Sequence, residues 1–426
     1  MASSESAEAT KASDRGTGSS MSPPERRAVS GLSFIYVARM LGLFMLMPVL
    51  ALENDQLRYS TPLLLGLAVG IYGLAQALLQ FPFGVASDRF GRKPVLVFGL
   101  LIFVLGSLLG AVSHNIWGII LARLLQGGGA VSSVLLATAG DLTGERHRTK
   151  AMAAIGGSIA IAYVLGVALG PVFYGFSGLT GVFLAAAGLG ILALLPLWKL
   201  IPPIPRNAQT RMGSWRDALR IFGYPPVLTA SVGIFILQMV LGASFVVLSP
   251  ELVKAMHLPD AAVWEVYLPV MLLSVAAMVY PVMYAEKHKR HGWMLVLSGL
   301  AIAAGALIMG LFSGRFWPVA AGAVIFFTGY NMASAILPSM MSRSTTPEQR
   351  GAASGVYSLM QFIGIFVGGV VGGWGLGIAG ERGVFYLLAA VGLLLALHSW
   401  SGKRMTPLLE PEELKKYKLG RSYDIE

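Results

Sequence analysis

There is no cysteine among the 426 residues. That excludes a disulfide framework, a thiolate metal site and a cysteine nucleophile, and it assigns no compartment. Charge is scarce, at 12% of residues, where soluble domains carry about 25%. The long apolar runs lack acids, and no Asp or Glu lies deep in any of them. There is no Gly-Lys-Ser/Thr phosphate loop, no His-Glu-x-x-His pair and no embedded nucleophile with a base. ATP-driven work and enzymatic catalysis are therefore not expected. The N-terminus has no short apolar region with a small-residue cleavage site, so no signal peptide is expected.

Apolar residues are what the chain has in excess, at 55%, with a mean hydropathy of +0.69. A soluble protein has no place to hide that much apolar surface, so the composition implies an all-α polytopic membrane protein. Twelve apolar segments are each long enough for a ~30 Å hydrocarbon core. They run near 31–52, 62–86, 94–113, 116–140, 150–175, 181–201, 226–250, 262–285, 292–313, 316–342, 351–377 and 382–401. An even number puts both termini on one side, and Arg26, Arg27, Lys403 and Arg404 make that side the cytoplasm. The net charge of +11 follows the same rule. Only Arg58, Lys254, Arg315 and Arg382 fall in the opposite loops, and only Arg39 and Arg123 inside spans. The basic balance is thus topology and not a nucleic-acid footprint. The partners expected are membrane lipid and a small-molecule substrate, with no nucleic acid, no metal and no cofactor, and the chain is expected to be a monomer.

The expected organisation is a disordered cytoplasmic tail over 1–28, a six-helix bundle over 29–201, a linker over 202–225, a second six-helix bundle over 226–402 and a tail over 403–426. The tail composition is too polar to repay ordering entropy. In the linker, Trp215, Leu219 and Phe222 recur at helical spacing with Arg216 and Arg220 between them. That pattern suits either a helix lying on the inner leaflet or a solvated connection. The halves repeat weakly. Glu286 and Arg290 follow Asp88 and Arg92 at a shift of 198, and Glu348-Gln349-Arg350 follows Glu145-Arg146 at about 200. A six-plus-six repeat places a substrate site between halves near the midplane.

The stretch Gly84 to Pro94, GVASDRFGRKP, concentrates the charge between two spans. Gly84 and Asp88 share one helix face and Gly84 admits a close neighbour. Asp88 can then sit at the positive N-terminus of that neighbour, a contact worth ~0.3–1 kcal/mol. Gly91 turns the chain and leaves Arg92 to reach a second acid, with Arg89 and Lys93 beside it. This stretch resembles the loop signature of the major facilitator superfamily: Gly, three residues, Asp, Arg, any, Gly, Arg, Lys. Arg123 with Gln126, Gly127 and Ala130 resembles its fourth-span motif. Gly166, Gly170 and Pro171 resemble the antiporter motif of drug:proton exporters, although Tyr174 stands where a glycine is usual. The first span (Arg39-Met-Leu-Gly42 to Pro48), with Gly140-Asp141-Leu142-Thr143 and His147 to Ala153, looks like YajR-type transporters of the twelve-span drug:proton antiporter branch. The resemblance covers about 30–402. Some of those relatives carry a soluble domain after the last span, which is expected to be missing here.

The resemblance implies a charge relay that ties the halves together when the inner side is closed. Asp88 would meet the start of the eleventh span near Gly351, and Arg92 would pair with Asp141. It also implies that Arg123 serves proton coupling or shapes the cavity; snorkelling to the headgroups is the structural alternative. The proton site stays open, because the first span holds Arg39 where many relatives hold an acid. Asp88 and Asp141 are the first candidates and Glu251 the second, each requiring burial to hold a proton. Arg39 pairs with a polar group or receives an anionic substrate. Tyr36, Tyr72, Gln76, Gln80, Gln126, Tyr163, Gln238, Asn331 and Gln361 are the cavity candidates. The expectation is a secondary transporter of the inner membrane, exporting a small molecule by alternating access on a proton gradient. A proton-independent facilitator or anion exporter, and a non-transporting sensor, are the alternatives.

Overall fold

The structure is a computed structural model that describes residues 21–54, 56–202, 221–257, 259, 262–343, 345 and 350–405. Nearly all of these are helical. The first helix, α1 (Pro23–Leu50), starts from a capping box in which Ser22 and Glu25 satisfy each other's backbone N–H groups. It therefore begins inside the stretch expected to be tail, because Ser-Pro-Pro-Glu supplies a helix start before the apolar run. A short turn, Ala51–Glu53, follows. Then come α2 (Pro62–Phe90), capped by Thr61, and α3 (Arg92–Val112). Gly91 separates them at φ +99°, a conformation that suits glycine. In the second half Lys289, at the equivalent step of 198, also turns with positive φ (+54°). The repeat therefore extends to the backbone.

The fourth apolar segment is not one helix. It divides into α4 (Ile116–Gly128), capped by Asn115, and α5 (Ser132–Leu142). The glycine run explains the break: Gly127 packs on the Tyr72 carbonyl and Gly129 on the Gly99 carbonyl, approaches that a Cβ would prevent. Next are α6 (Glu145–Leu192) and the short α7 (Leu194–Lys199). The second half holds α8 (Pro225–Met256), α9 (Trp264–Lys287), α10 (His291–Leu311), α11 (Phe316–Arg343) and α12 (Arg350–Met405).

Among the described residues, ten helical stretches are long and apolar enough to cross a membrane. Two are far longer than one crossing needs, at 50 and 51 residues. At 1.5 Å per residue each is about 75 Å, more than twice a ~30 Å core. Each is broken by non-helical backbone, at Ser177–Gly178 and at Gly380. Residues 203–220 and 406–426 lie outside the described residues, and with them the linker pattern at Trp215, Arg216, Leu219 and Arg220.

The halves meet unevenly. Toward the start of α2, its backbone presses on α12 in antiparallel register. A Cβ on Gly70 would lie 2.6 Å from the Phe366 carbonyl oxygen, and one on Gly66 would lie 2.8 Å from the Gly373 Cα. Gly73 faces Phe362 in the same way. Continued along both helices, this register sets Asp88 opposite the first turn of α12. There the helices have separated: Gly351 is exposed, and among the described residues neither it nor Gly355 has a neighbouring atom within 4 Å of a Cβ position. Gly156 and Gly157 of α6 are exposed and equally unobstructed. Among the described residues, the two halves touch on the face remote from Asp88 and stand apart on the Asp88 face.

Candidate functional site

The Asp88 face is organised by one arginine. Arg92 is 2% exposed, and it donates from Nε to Asp141 Oδ2 at 2.9 Å while its Nη1 pairs with Asp88 and with the Ser87 hydroxyl. The Asp141 side chain is fully buried and that of Asp88 is 21% exposed. Ser87 in turn donates to the Gly84 carbonyl, which ties the glycine end of α2 into the same cluster. Lys93 turns away: its Nζ donates to the Ile201 carbonyl at 3.2 Å and lies over the Trp198 ring. Arg89 is exposed, over Phe90. Gly351, expected opposite Asp88 when this face is closed, stands clear in this open arrangement.

A second cluster is sealed inside the N-terminal half. Arg39, 1% exposed, donates to the Ser132 hydroxyl at 2.9 Å and pairs with the Gln76 carbonyl oxygen. Gln76 also donates to Ser132 (3.3 Å), and the Tyr36 hydroxyl bonds the same serine. Arg123 is wholly buried, which excludes the snorkelling alternative. It donates to Gln126 Oε1 at 3.1 Å, and Gln126 donates on to Ser107. Both guanidiniums lie over the ring of Tyr72, at 5.9 Å for Arg39 and 5.0 Å for Arg123. Among the described residues, Arg39 Nε, Arg123 Nη2 and the Tyr72 hydroxyl have no partner. Gln80 leaves its side-chain oxygen unpaired, and its backbone carbonyl accepts from Ser133.

The antiporter-like stretch acts as a packing surface. A Cβ on Gly166 would lie 2.6 Å from that of Phe44, and Gly170 abuts the Met45 carbonyl, so α6 rides directly on α1 with Pro171 in the contact region. Just beside it, Tyr163 packs edge-on against Phe44 and lies 5.8 Å from the Tyr330 ring of the other half. Tyr330 reaches toward Gln238, at 3.5 Å, and Asn331 donates to Ser274. Gln361 is half-buried on α12. Glu251 is buried near the end of α8 on the closed face, accepting from the Gly314 N–H at 2.6 Å and the Ser313 hydroxyl at 3.1 Å. It lies beside Glu381, which pairs with Lys254.

Four participants carry no signal in a sequence reading. Ser132 is one small residue among many. Ser313 and Gly314 form an ordinary loop. Glu25, which accepts from the Gly144 N–H at 2.9 Å and faces His147 at 3.1 Å, lies 119 residues from the glycine it holds. Only the folded arrangement brings these pairs together.

Two helical halves, sealed together at one face and parted at the other around buried polar clusters, define a multi-pass membrane transporter. The chain belongs to the Major Facilitator Superfamily, whose sequence model matches residues 32–369 and 283–419. It is 38% identical over 381 residues to the inner membrane transport protein YajR of Escherichia coli K12, covering 88% of this chain and 84% of that protein. It is 27% identical to a triacylglyceride transporter of Mycobacteroides abscessus, over 82% of this chain and 59% of the relative. Its fold is similar to that of a bacterial homologue of the human lysosomal transporter Spinster, solved inward-facing and unoccupied. That likeness has a TM-score of 0.73 at 16% identity, covering 90% of this chain and 98% of the other. The chain is a transporter and not an enzyme.

Proposed function

We propose that this chain exports a small amphipathic molecule across a bacterial-type inner membrane, drawing on inward proton flow. On this reading it crosses the bilayer twelve times as a monomer. Ser177–Gly178 and Gly380 divide the two longest helical stretches, and both termini and the Asp88 face are cytoplasmic. The uneven contact between halves carries the reading. Glycines of α2 touch α12 backbone on one side, while Gly351 and Gly156 stand free on the other. This is the inward-open half of an alternating-access cycle. On inner closure Asp88 would dock at the start of α12, with Arg92 held by Asp141. A latch worth about 1–2 kcal/mol shifts a two-state population roughly five- to thirty-fold. Asp88 and Asp141 are the proposed proton carriers, with Glu251 second.

The test is flux of a panel of cationic, neutral and anionic fluorescent amphiphiles from proteoliposomes with an imposed pH gradient. Transport of at least one dye accelerates with the gradient and falls back when a protonophore collapses it. Flux indifferent to the gradient would move the chain to the second reading, proton-independent export of an anion or metabolite. That reading has its own support: neither Arg39 nor Arg123 pairs with a carboxylate among the described residues.

A further inference from the structure

We infer that Arg39, Gln76 and the first turn of α5 form a buried receptor for an oxyanion, with Arg123 across the Tyr72 ring, and that the transported molecule bears a carboxylate or like group. The inference rests on the transport reading above and names the chemical class of its cargo.

A guanidinium brings five N–H donors and a fixed positive charge. Burying one costs several kcal/mol unless a counter-charge or full hydrogen bonding offsets it. Two are buried here, 1% and 0% exposed, around a single aromatic ring. Their acceptors are all neutral: a serine hydroxyl, two glutamine side chains and the Ala68 carbonyl, the last at 3.4 Å. Among the described residues, unpaired donors remain on both arginines and on Tyr72. A group rich in acceptors and carrying negative charge is what such surroundings lack.

The helix break adds an independent element. Because α5 starts afresh at Ser132, in the middle of the apolar segment, its first turn leaves N–H groups without partners inside their own helix. That end also carries the positive pole of the helix dipole. Arg39 is aimed at it, since Nη1 bonds the hydroxyl of the first residue of α5. Interrupted membrane helices whose N-termini face a substrate carboxylate follow the same electrostatic logic. A guanidinium edge matches a planar carboxylate in two parallel hydrogen bonds. The incoming group would take the free Nε–H and displace the Gln76 carbonyl from the neighbouring nitrogen. The approach is from the open face. Tyr36 precedes Arg39 by one turn on α1, and Gln80 follows Gln76 by one turn on α2. Both are less than a tenth exposed, and both lie between the cluster and the Asp88 face. Their side chains are the gate that must swing.

The experiment is thermal unfolding of the purified full chain in detergent with three probes: 4-phenylbutyrate, its neutral isostere 4-phenylbutanamide, and sulfate. The butyrate raises the midpoint by at least about 2 °C at saturating concentration, and the amide leaves it unchanged. Sulfate tells whether the oxyanion suffices without the apolar body. Arg39→Gln abolishes the butyrate shift, and Arg39→Lys, which keeps the charge, retains part of it. Equal stabilisation by amide and butyrate, no shift with butyrate, or an undiminished shift in Arg39→Gln would each overturn the assignment. If Arg39→Gln does not fold, the lysine variant decides: a reduced butyrate shift supports the assignment, and a shift equal to that of the unaltered chain overturns it. Loss of proton drive in liposomes, with anion-selective stabilisation intact, would remove the coupling and leave this site standing.

Discussion

Arg92 holds two carboxylates from two different helices while almost entirely buried, so the consequences of losing either acid differ by burial. Asp141 is wholly enclosed, and replacing it with Asn leaves a buried guanidinium short of a counter-charge, typically a loss of about 3–5 kcal/mol. Asp141→Asn is expected to lower the thermal midpoint in detergent markedly. Asp88 is one-fifth exposed and water compensates its loss in part. Asp88→Asn is expected to leave membrane insertion and the midpoint nearly unchanged while reducing dye flux severalfold; normal flux would remove the latch from the mechanism. The residues of this cluster were legible in the sequence because they lie within a short charged stretch and at one span end. The meeting of Gln76 and Ser132 with Arg39 was not: Gln76 stood out only as a cavity candidate and Ser132 not at all, and they lie 37 and 93 positions away.

At the scale of elements, α2 and α12 decide which face is shut. Their contact depends on the absence of side chains at Gly66, Gly70, Gly73, Gly369 and Gly373. Gly70→Ala puts a methyl 2.6 Å from the Phe366 carbonyl oxygen, and backbone gives way less readily than a side chain. Overpacking of this kind costs about 1–3 kcal/mol. The variant is expected to insert normally and to shift by tenfold or more toward the state open on the far face, read as spin-label distances across that face. An unchanged distance distribution would show that the contact tolerates repacking. The helices themselves follow from the apolar runs and their caps. The break between α4 and α5 does not. Gly127-Gly128-Gly129-Ala130 reads equally well as a packing motif inside a continuous helix, and only the carbonyls of Tyr72 and Gly99 pressing on it settle where the helix stops.

For the whole molecule, the open and closed faces give opposite accessibility. No native thiol competes with an introduced one, so single cysteines report cleanly. Gly156→Cys and Gly355→Cys are expected to react with a water-soluble maleimide from the Asp88 side at rates near those of an exposed loop. Ser244→Cys, a near-isosteric change at a position 1% exposed toward the closed-face end of α8, should react at least tenfold more slowly. Equal rates at all three positions would contradict the one-sided opening.

The sequence by itself determined the membrane, the helical class, the paired halves and the charged cluster at Asp88. Those properties reside in composition, in run length and in residues near one another along the chain. Which face is open, where the fourth apolar segment breaks, and the enclosure of two arginines around one tyrosine ring were decided by tertiary structure. Each depends on contacts between backbones and side chains far apart in the chain. An apolar run fixes only that a helix is buried in the bilayer; what lies against it is set by its neighbours.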